Sequence, residues 1–142
     1  MNARSIAAVL VGGVVDIAAT NVFALPLVVY VVFRDHPVGP DAVQTMLHTI
    51  SSDPALVATS MFFGCLASVL GGYTAAWMAG RNQLLVGALS AYLCTAFGIA
   101  SLVHGTPGVS LQQHLGSFVL SPALGLLGGY LRSLQSRRVA RA

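Results

Sequence analysis

Four long apolar runs, separated by short polar segments, constrain this chain of 142 residues more than any other feature of its sequence. They cover about residues 6–33, 54–80, 84–103 and 115–131, and a helix needs roughly 20 apolar residues to cross the hydrocarbon of a bilayer. Only 8% of the residues are charged, against about 25% in an average soluble domain. The sequence therefore predicts a single integral-membrane domain over residues 1–142, an all-α bundle of four transmembrane helices.

The polar segment between the first two runs contains a short amphipathic pattern. Its apolar residues recur at the spacing of one helical face, at Val43, Met46, Leu47 and Ile50. We expect a short helix, about residues 41–51, that lies on the outer membrane surface. Asp53 followed by Pro54 is typical of a helix start, with the carboxylate as N-cap and proline at the first helical position.

The first run has a second interpretation as a secretory signal peptide. Arg4 would be its positively charged start, and Val22-Phe23-Ala24 would be its cleavage site. The carboxylate of Asp16 interrupts the apolar segment, and the run continues as far as Phe33. Both observations favour a membrane span.

The arginines indicate the orientation of the chain. In a four-span topology only Arg34 falls on the outer side, and the other six lie together on the inner side: Arg4, Arg81, Arg132, Arg137, Arg138 and Arg141. Because cytoplasmic segments are enriched in Arg and Lys, we expect a multi-pass protein of the inner membrane with both termini in the cytoplasm. The positive charge has no basic face or interleaved aromatic residues beside it, so no nucleic-acid partner is predicted.

Small residues recur every four positions in the second and fourth runs. Helices in lipid associate through close contact, which small residues permit. The predicted helix-packing positions are Gly64, Gly72, Ala76, Gly125 and Gly129. A tightly packed bundle or its homo-oligomer explains these stripes, and lining of a pore or a substrate path is the alternative.

A short internal repeat links the same two runs. Leu70-Gly71-Gly72-Tyr73 recurs as Leu127-Gly128-Gly129-Tyr130. The repeat is consistent with two hairpins of the same direction, related by an axis along the membrane normal.

Asp16 is the ionisable residue that lies clearly inside an apolar run, and a charge there costs about 2.5 to 3.5 kcal/mol on insertion scales. Thr20 and Asn21 follow it closely, so the three form the candidate site for a proton or a ligand. No basic residue lies in any run to pair with Asp16, which favours a carboxyl that changes protonation within the membrane. The alternatives are a hydrogen bond across a helix boundary, or a side chain that reaches the inner surface.

Two resemblances follow from these residues. Asp16-Ile17-Ala18-Ala19-Thr20 resembles the acidic-x-x-small-Thr segment in the first helix of small multidrug resistance transporters. Those are four-span proteins whose membrane carboxylate binds protons or cationic drugs, and the resemblance implies that role for Asp16. The Gly-Gly-Tyr-x-Ala-Ala segment, residues 71–76, resembles small uncharacterised four-span proteins of bacterial inner membranes, which implies a location without an activity.

The sequence lacks the residues that most chemistries need. Phosphate-binding and dinucleotide-binding glycine loops, the serine-hydrolase elbow and the zinc-protease motif are all absent. The outer-side histidines, His36, His48, His104 and His114, match no metal-site spacing, so neither a metal, a cofactor nor a catalytic residue is predicted. We expect a structural or accessory membrane protein that associates with itself or with another membrane protein. The alternative is a small proton- or cation-coupled transporter that uses Asp16.

Overall fold

The computed structural model describes residues 3–37, 39–80, 82–103 and 111–139, and it describes their side chains except at 97–103, 111–119, 137 and 139. Within this part of the chain, helices account for nearly all residues and no strand occurs. The helices are α1 (Ala3–Asp35), α2 (Ala42–Ser52), α3 (Pro54–Ala79), α4 (Gln83–Val103) and α5 (Leu111–Val139). The all-α class predicted from the sequence is confirmed.

Two of these helices, α1 and α3, are long and apolar enough to cross a membrane by length and composition. The side chains of α4 are described only as far as Ala96, and the stretch Gln83–Ala96 is by itself shorter than a membrane span requires. The described residues therefore contain two candidate membrane helices rather than the four that the apolar runs predict. The remaining apolar residues of the third and fourth runs lie partly outside the residues that the structure describes in full.

Both ends of α3 follow from its sequence. The Asp53 carboxylate accepts a hydrogen bond from the backbone N–H of Ala55 at 2.9 Å, and Pro54 occupies the first helical position. At the other end Gly80 adopts a left-handed conformation with φ of 68°, which glycine reaches without a steric penalty. The start predicted at Asp53 and Pro54 is confirmed.

The fourth run differs from its prediction in extent. The sequence predicts a span over about residues 115–131 followed by an Arg-rich tail, but α5 begins at Leu111 and continues to Val139. Neither glycine nor proline occurs after Gly129, and Leu, Gln and Arg are good helix formers. The polar residues that follow Leu131 therefore end the apolar run, but the helix continues through them.

The short helix α2 confirms the amphipathic helix predicted between the first two runs. Met46 and Ile50 pack against a buried cluster that joins α1 to α3, formed by Leu27, Val31 and Leu56. Val43 and Leu47 share the predicted face but remain 63% and 45% exposed. Two of the four apolar residues on this face thus pack against α1 and α3, and the other two remain exposed.

The four long helices are arranged around α3 and α4. Each of these two packs against the other and against both α1 and α5, whereas the described residues of α1 and α5 do not meet. If the two predicted hairpins were related by a two-fold axis, α1 would correspond to α4 and α3 to α5. The contact between α3 and α4 would then have an equivalent between α5 and α1, which the described residues do not make. The two-hairpin repeat predicted from the glycine motifs stays a prediction.

Glycines bring the backbones of these helices close together. A Cβ added to Gly72 of α3 would lie 2.8 Å from the Cα of Gly125 in α5, and one added to Gly129 would lie 2.6 Å from the carbonyl oxygen of Gln83 in α4. Real Cβ atoms do not approach other atoms so closely, so these interfaces require glycine. Ala76, on the same stripe as Gly72, is fully buried.

Gly64 differs from the other predicted packing residues. Among the described residues, no atom lies within 4 Å of the position that a Cβ would take there. The packing role of Gly64 stays a prediction, and its face of α3 is open in the part of the chain described.

Candidate functional site

Asp16 is enclosed where α1 meets α3. Its residue exposure is 1%. A Cβ added to Gly71 of α3 would lie 2.7 Å from the Cβ of Asp16 and 2.8 Å from the carbonyl oxygen of Gly12. The two helices approach this closely because Gly12 and Gly71 have no side chains. The carboxyl is therefore held between helices rather than directed to either membrane surface.

Two side chains from other helices reach the carboxyl. The Ser68 hydroxyl of α3 lies 3.4 Å from Oδ1 and 3.3 Å from Oδ2 of Asp16, and the Cys94 thiol of α4 lies near the same carboxyl. We call these three residues the Asp16 site. Both oxygen distances are longer than the usual 2.5–3.0 Å for O–H···O, so the contacts to Ser68 are weak.

The donors around the carboxyl are neutral. A carboxylate offers about four acceptor positions, whereas the Ser68 hydroxyl and the nearby Cys94 thiol carry one hydrogen each. Three of the described arginines bond elsewhere: Arg4 to the carbonyl of Met78, Arg34 to Asp35 and Asp53, and Arg132 to Gln135. Because an uncompensated buried charge is costly, the site accommodates a neutral carboxyl, or an added proton or small cation, better than an isolated anion.

Thr20 and Asn21 are not brought to the carboxyl. The Thr20 hydroxyl donates to the backbone oxygen of Asp16 at 2.9 Å, and the Asn21 amide donates to the backbone oxygen of Ile17 at 2.8 Å. Both side chains are exposed in the single chain. Hydroxyl and amide side chains in helices often bond back to the carbonyl four residues earlier, and this local bond directs them away from the Asp16 carboxyl.

Ser68 and Cys94 are the partners that sequence reasoning missed. Ser68 lies four residues before Gly72 on the small-residue stripe of α3, and Cys94 lies seven residues after Gly87 in α4. Neither was among the predicted site residues. The signal that could have identified them is their polarity. A hydroxyl or thiol on a packing stripe lies on the face where a buried carboxyl needs a donor.

A second polar cluster joins the C-terminal end of α1 to the N-terminal end of α3. Arg34 donates to Asp35 at 2.9 Å and to Asp53 at 3.2 Å, and its guanidinium lies 5.6 Å from the ring centroid of Tyr30. The pKa of Asp35 is lowered chiefly by its hydrogen bond with Arg34. The pKa of Asp53 is lowered first by the bond from the Ala55 backbone and then by Arg34. One guanidinium thus bridges two carboxylates and links the end of α1 to the start of α3.

The described residues contain no group of three or more His, Cys, Asp or Glu side chains that could hold a metal ion. His36 directly follows α1, and His48 lies within α2. His104 and the side chain of His114 lie outside the described residues, as do Arg81, Arg141 and the side chain of Arg137.

Comparison with protein-family models, with curated proteins and with solved structures found no match to this chain. The Asp16 site therefore supplies the observations from which a function is argued.

Proposed function

We propose that this chain is a four-span inner-membrane protein with both termini in the cytoplasm, which serves as a self-associating structural or accessory component. The observation that carries the proposal is the enclosure of Asp16. Asp16 is only 1% exposed, and the backbones of α1 and α3 touch at Gly12 and Gly71. The Asp16 carboxyl therefore links one helix to another and does not line an open path through the bundle.

The membrane placement is supported by the surface of the bundle. Large apolar side chains face outward along α1 and α3, among them Val14, Phe33 and Phe62 with exposures of 65%, 75% and 61%. A soluble protein of this size rarely leaves so much contiguous apolar surface in water. Lipid, or a second copy of the chain, is the environment that this surface fits.

Self-association is supported by the open face of α3 around Gly64. Ser60 and Gly64 continue the small-residue stripe that packs elsewhere at Gly72, but no described atom lies within 4 Å of a Cβ at Gly64. Small residues on an open helix face permit the close approach of another membrane helix. A second copy of α3 would complete this interface.

The test is the oligomeric state of the full chain in mild detergent. We expect the wild type to elute as a dimer or larger, Gly64→Leu to shift to monomer, and the control Ala58→Leu to behave as wild type, because Ala58 is exposed on a different face of α3. A wild type that is monomeric and brings no membrane partner through purification would contradict the proposal.

The second candidate function is a proton- or cation-coupled transporter, favoured by one observation. An ionisable group lies where α1, α3 and α4 converge, and no basic side chain among the described residues pairs with it. Ionisable residues in such positions frequently form part of proton relays or ion pathways.

Proton flux into proteoliposomes, followed with an enclosed pH dye, distinguishes the two functions. A transporter predicts flux in the wild type that Asp16→Asn abolishes and that Ser90→Ala preserves, since the Ser90 hydroxyl bonds to Gly87 within α4. Equal flux in the wild type and Asp16→Asn at every pH would eliminate the transporter.

A further inference from the structure

Arg4 is held against the end of α3. Its Nε donates to the backbone oxygen of Met78 at 3.0 Å, in the last turn of a helix whose final carbonyls lack intrahelical partners. A guanidinium has five N–H donors in a planar fork, and this bond uses one of them. Among the described residues nothing else accepts a hydrogen bond from Arg4, so its two terminal nitrogens are free to bond to a ligand.

The same residues line a groove of about 380 Å³ between the first turns of α1 and the last turn of α3. Arg4, Ala7, Trp77 and Met78 form its walls. Trp77 is 60% exposed, and Ala7 leaves room beside it. A cationic group thus lies next to an indole ring and short apolar walls, which is an amphipathic arrangement. Tryptophan prefers this level of a membrane, where one end of the side chain is apolar and the other polar.

The charge around the groove is of one sign. α5 brings Arg132, which donates to Gln135 beside Tyr73 of α3, to the same end of the bundle as Arg4. The chain has no glutamate, and its four aspartates lie elsewhere, with Asp16 buried and Asp35, Asp41 and Asp53 at the opposite end. An anion in the groove meets attraction without a competing acidic side chain.

We propose that this groove, the Arg4–Trp77 groove, binds the phosphate of an anionic phospholipid in the inner leaflet. The terminal nitrogens of Arg4 hold the phosphate oxygens, and Trp77 and Ala7 lie beside the glycerol and the first acyl carbons. The inference rests on the proposed membrane placement and orientation, and it adds a specific lipid site to them.

Trp77 makes the site directly observable, because it is the single tryptophan of the chain. The full chain is reconstituted in phosphatidylcholine bilayers that contain a minor fraction of brominated phosphatidylglycerol or brominated phosphatidylcholine, which quench tryptophan on contact. We expect the anionic lipid to quench Trp77 at about fivefold lower fraction, the effect of one arginine beside anionic lipid. Arg4→Gln should remove this preference and leave the helical content unchanged.

The matched control is Arg138→Gln, which makes the same change in charge at the same end of the bundle and should keep the preference. Equal quenching by the two lipids in the wild type would overturn the proposal. An equal loss of the lipid preference in Arg4→Gln and Arg138→Gln would overturn it too, because it would indicate a general attraction of anionic lipid to this positively charged end. Recovery of fluorescence with inorganic phosphate, but not with chloride of equal ionic strength, would assign the groove to free phosphate instead. Quenching by neither lipid would contradict the membrane placement itself.

Discussion

The hydroxyl oxygen of Ser68 lies 3.3 Å from one carboxyl oxygen of Asp16 and 3.4 Å from the other, across the boundary between α1 and α3. The two residues are 52 positions apart in the sequence, and both are nearly inaccessible to solvent. They meet because Gly12 and Gly71 allow the two backbones to touch one turn away. A polar contact that would be weak in water is thereby built into the interior of the bundle.

This contact should be measurable as an energetic coupling. In a double-mutant cycle of Asp16→Ala and Ser68→Ala, each of which removes one partner of the contact, we expect a coupling of about 0.6 kcal/mol, the usual size of such bonds between membrane helices. The free energy of unfolding in detergent, measured for the wild type, both single variants and the double variant, provides the value. The cycle of Asp16→Ala with Ser90→Ala should be additive, since the Ser90 hydroxyl bonds within its own helix. A cycle with Ser68 that is equally additive would show that the contact carries no stability.

The seam between α1 and α3 should not accept additional volume. Ala75 is fully buried on the face of α3 that meets Gly12, so Ala75→Leu should destabilise the bundle by about 1 to 3 kcal/mol through overpacking. Ala58→Leu adds the same atoms to an exposed position of the same helix and should be nearly neutral. Thermal unfolding in detergent compares them, and similar losses for both variants would refute the close approach at this seam.

The polar cluster around Arg34 should make the stability of the protein depend on pH at the acid end. Because the folded-state pKa of Asp53 lies below its unfolded value, folding favours the ionised carboxylate. The contribution of the Asp53 carboxylate to the free energy of unfolding is complete above the unfolded-state pKa of about 3.9. This contribution is lost as the pH falls through the lower folded-state pKa. Asp53→Asn keeps a side chain that can cap α3 but removes the charge, so its melting temperature should fall less steeply between neutral pH and about pH 3.

Asp41→Asn is the matched control for this experiment. Asp41 precedes α2 but makes no side-chain capping bond, so the pH dependence should stay as in the wild type. The Asp35 carboxylate, whose pKa Arg34 also lowers, should preserve part of the dependence in Asp53→Asn. An Asp53→Asn profile identical to the wild type would exclude a contribution from this carboxylate.

The proposed orientation can be tested by cysteine labelling. With Cys65 and Cys94 replaced by alanine, a cysteine at Thr45 in α2 and one at Arg138 in α5 should react with a membrane-impermeant maleimide from opposite sides. In intact cells only the cysteine at position 45 should be labelled, and position 138 should require permeabilisation. A cysteine at Arg4 serves as the control that should behave as position 138 does. Labelling of positions 45 and 138 from the same side would refute the topology.

The sequence by itself determined the features that depend on near neighbours in the chain. The apolar runs predicted α1 and α3, the apolar spacing from Val43 to Ile50 predicted α2, and Asp53 with Pro54 predicted the start of α3. Helix formation and capping are local, so the residues concerned lie within one or two turns of each other. The end of α5 was missed because the run became polar at Arg132 while helix propensity continued to Val139.

The tertiary structure decided which faces meet. The sequence placed Asp16 with Thr20 and Asn21, yet those side chains bond to their own helix, and Ser68 and Cys94 approach the carboxyl instead. A helix presents several faces with small residues, and the crossing of two helices selects one face and one level along it. For this reason Gly71 forms the seam beside Asp16, whereas Gly64, on the regular stripe, faces no described neighbour.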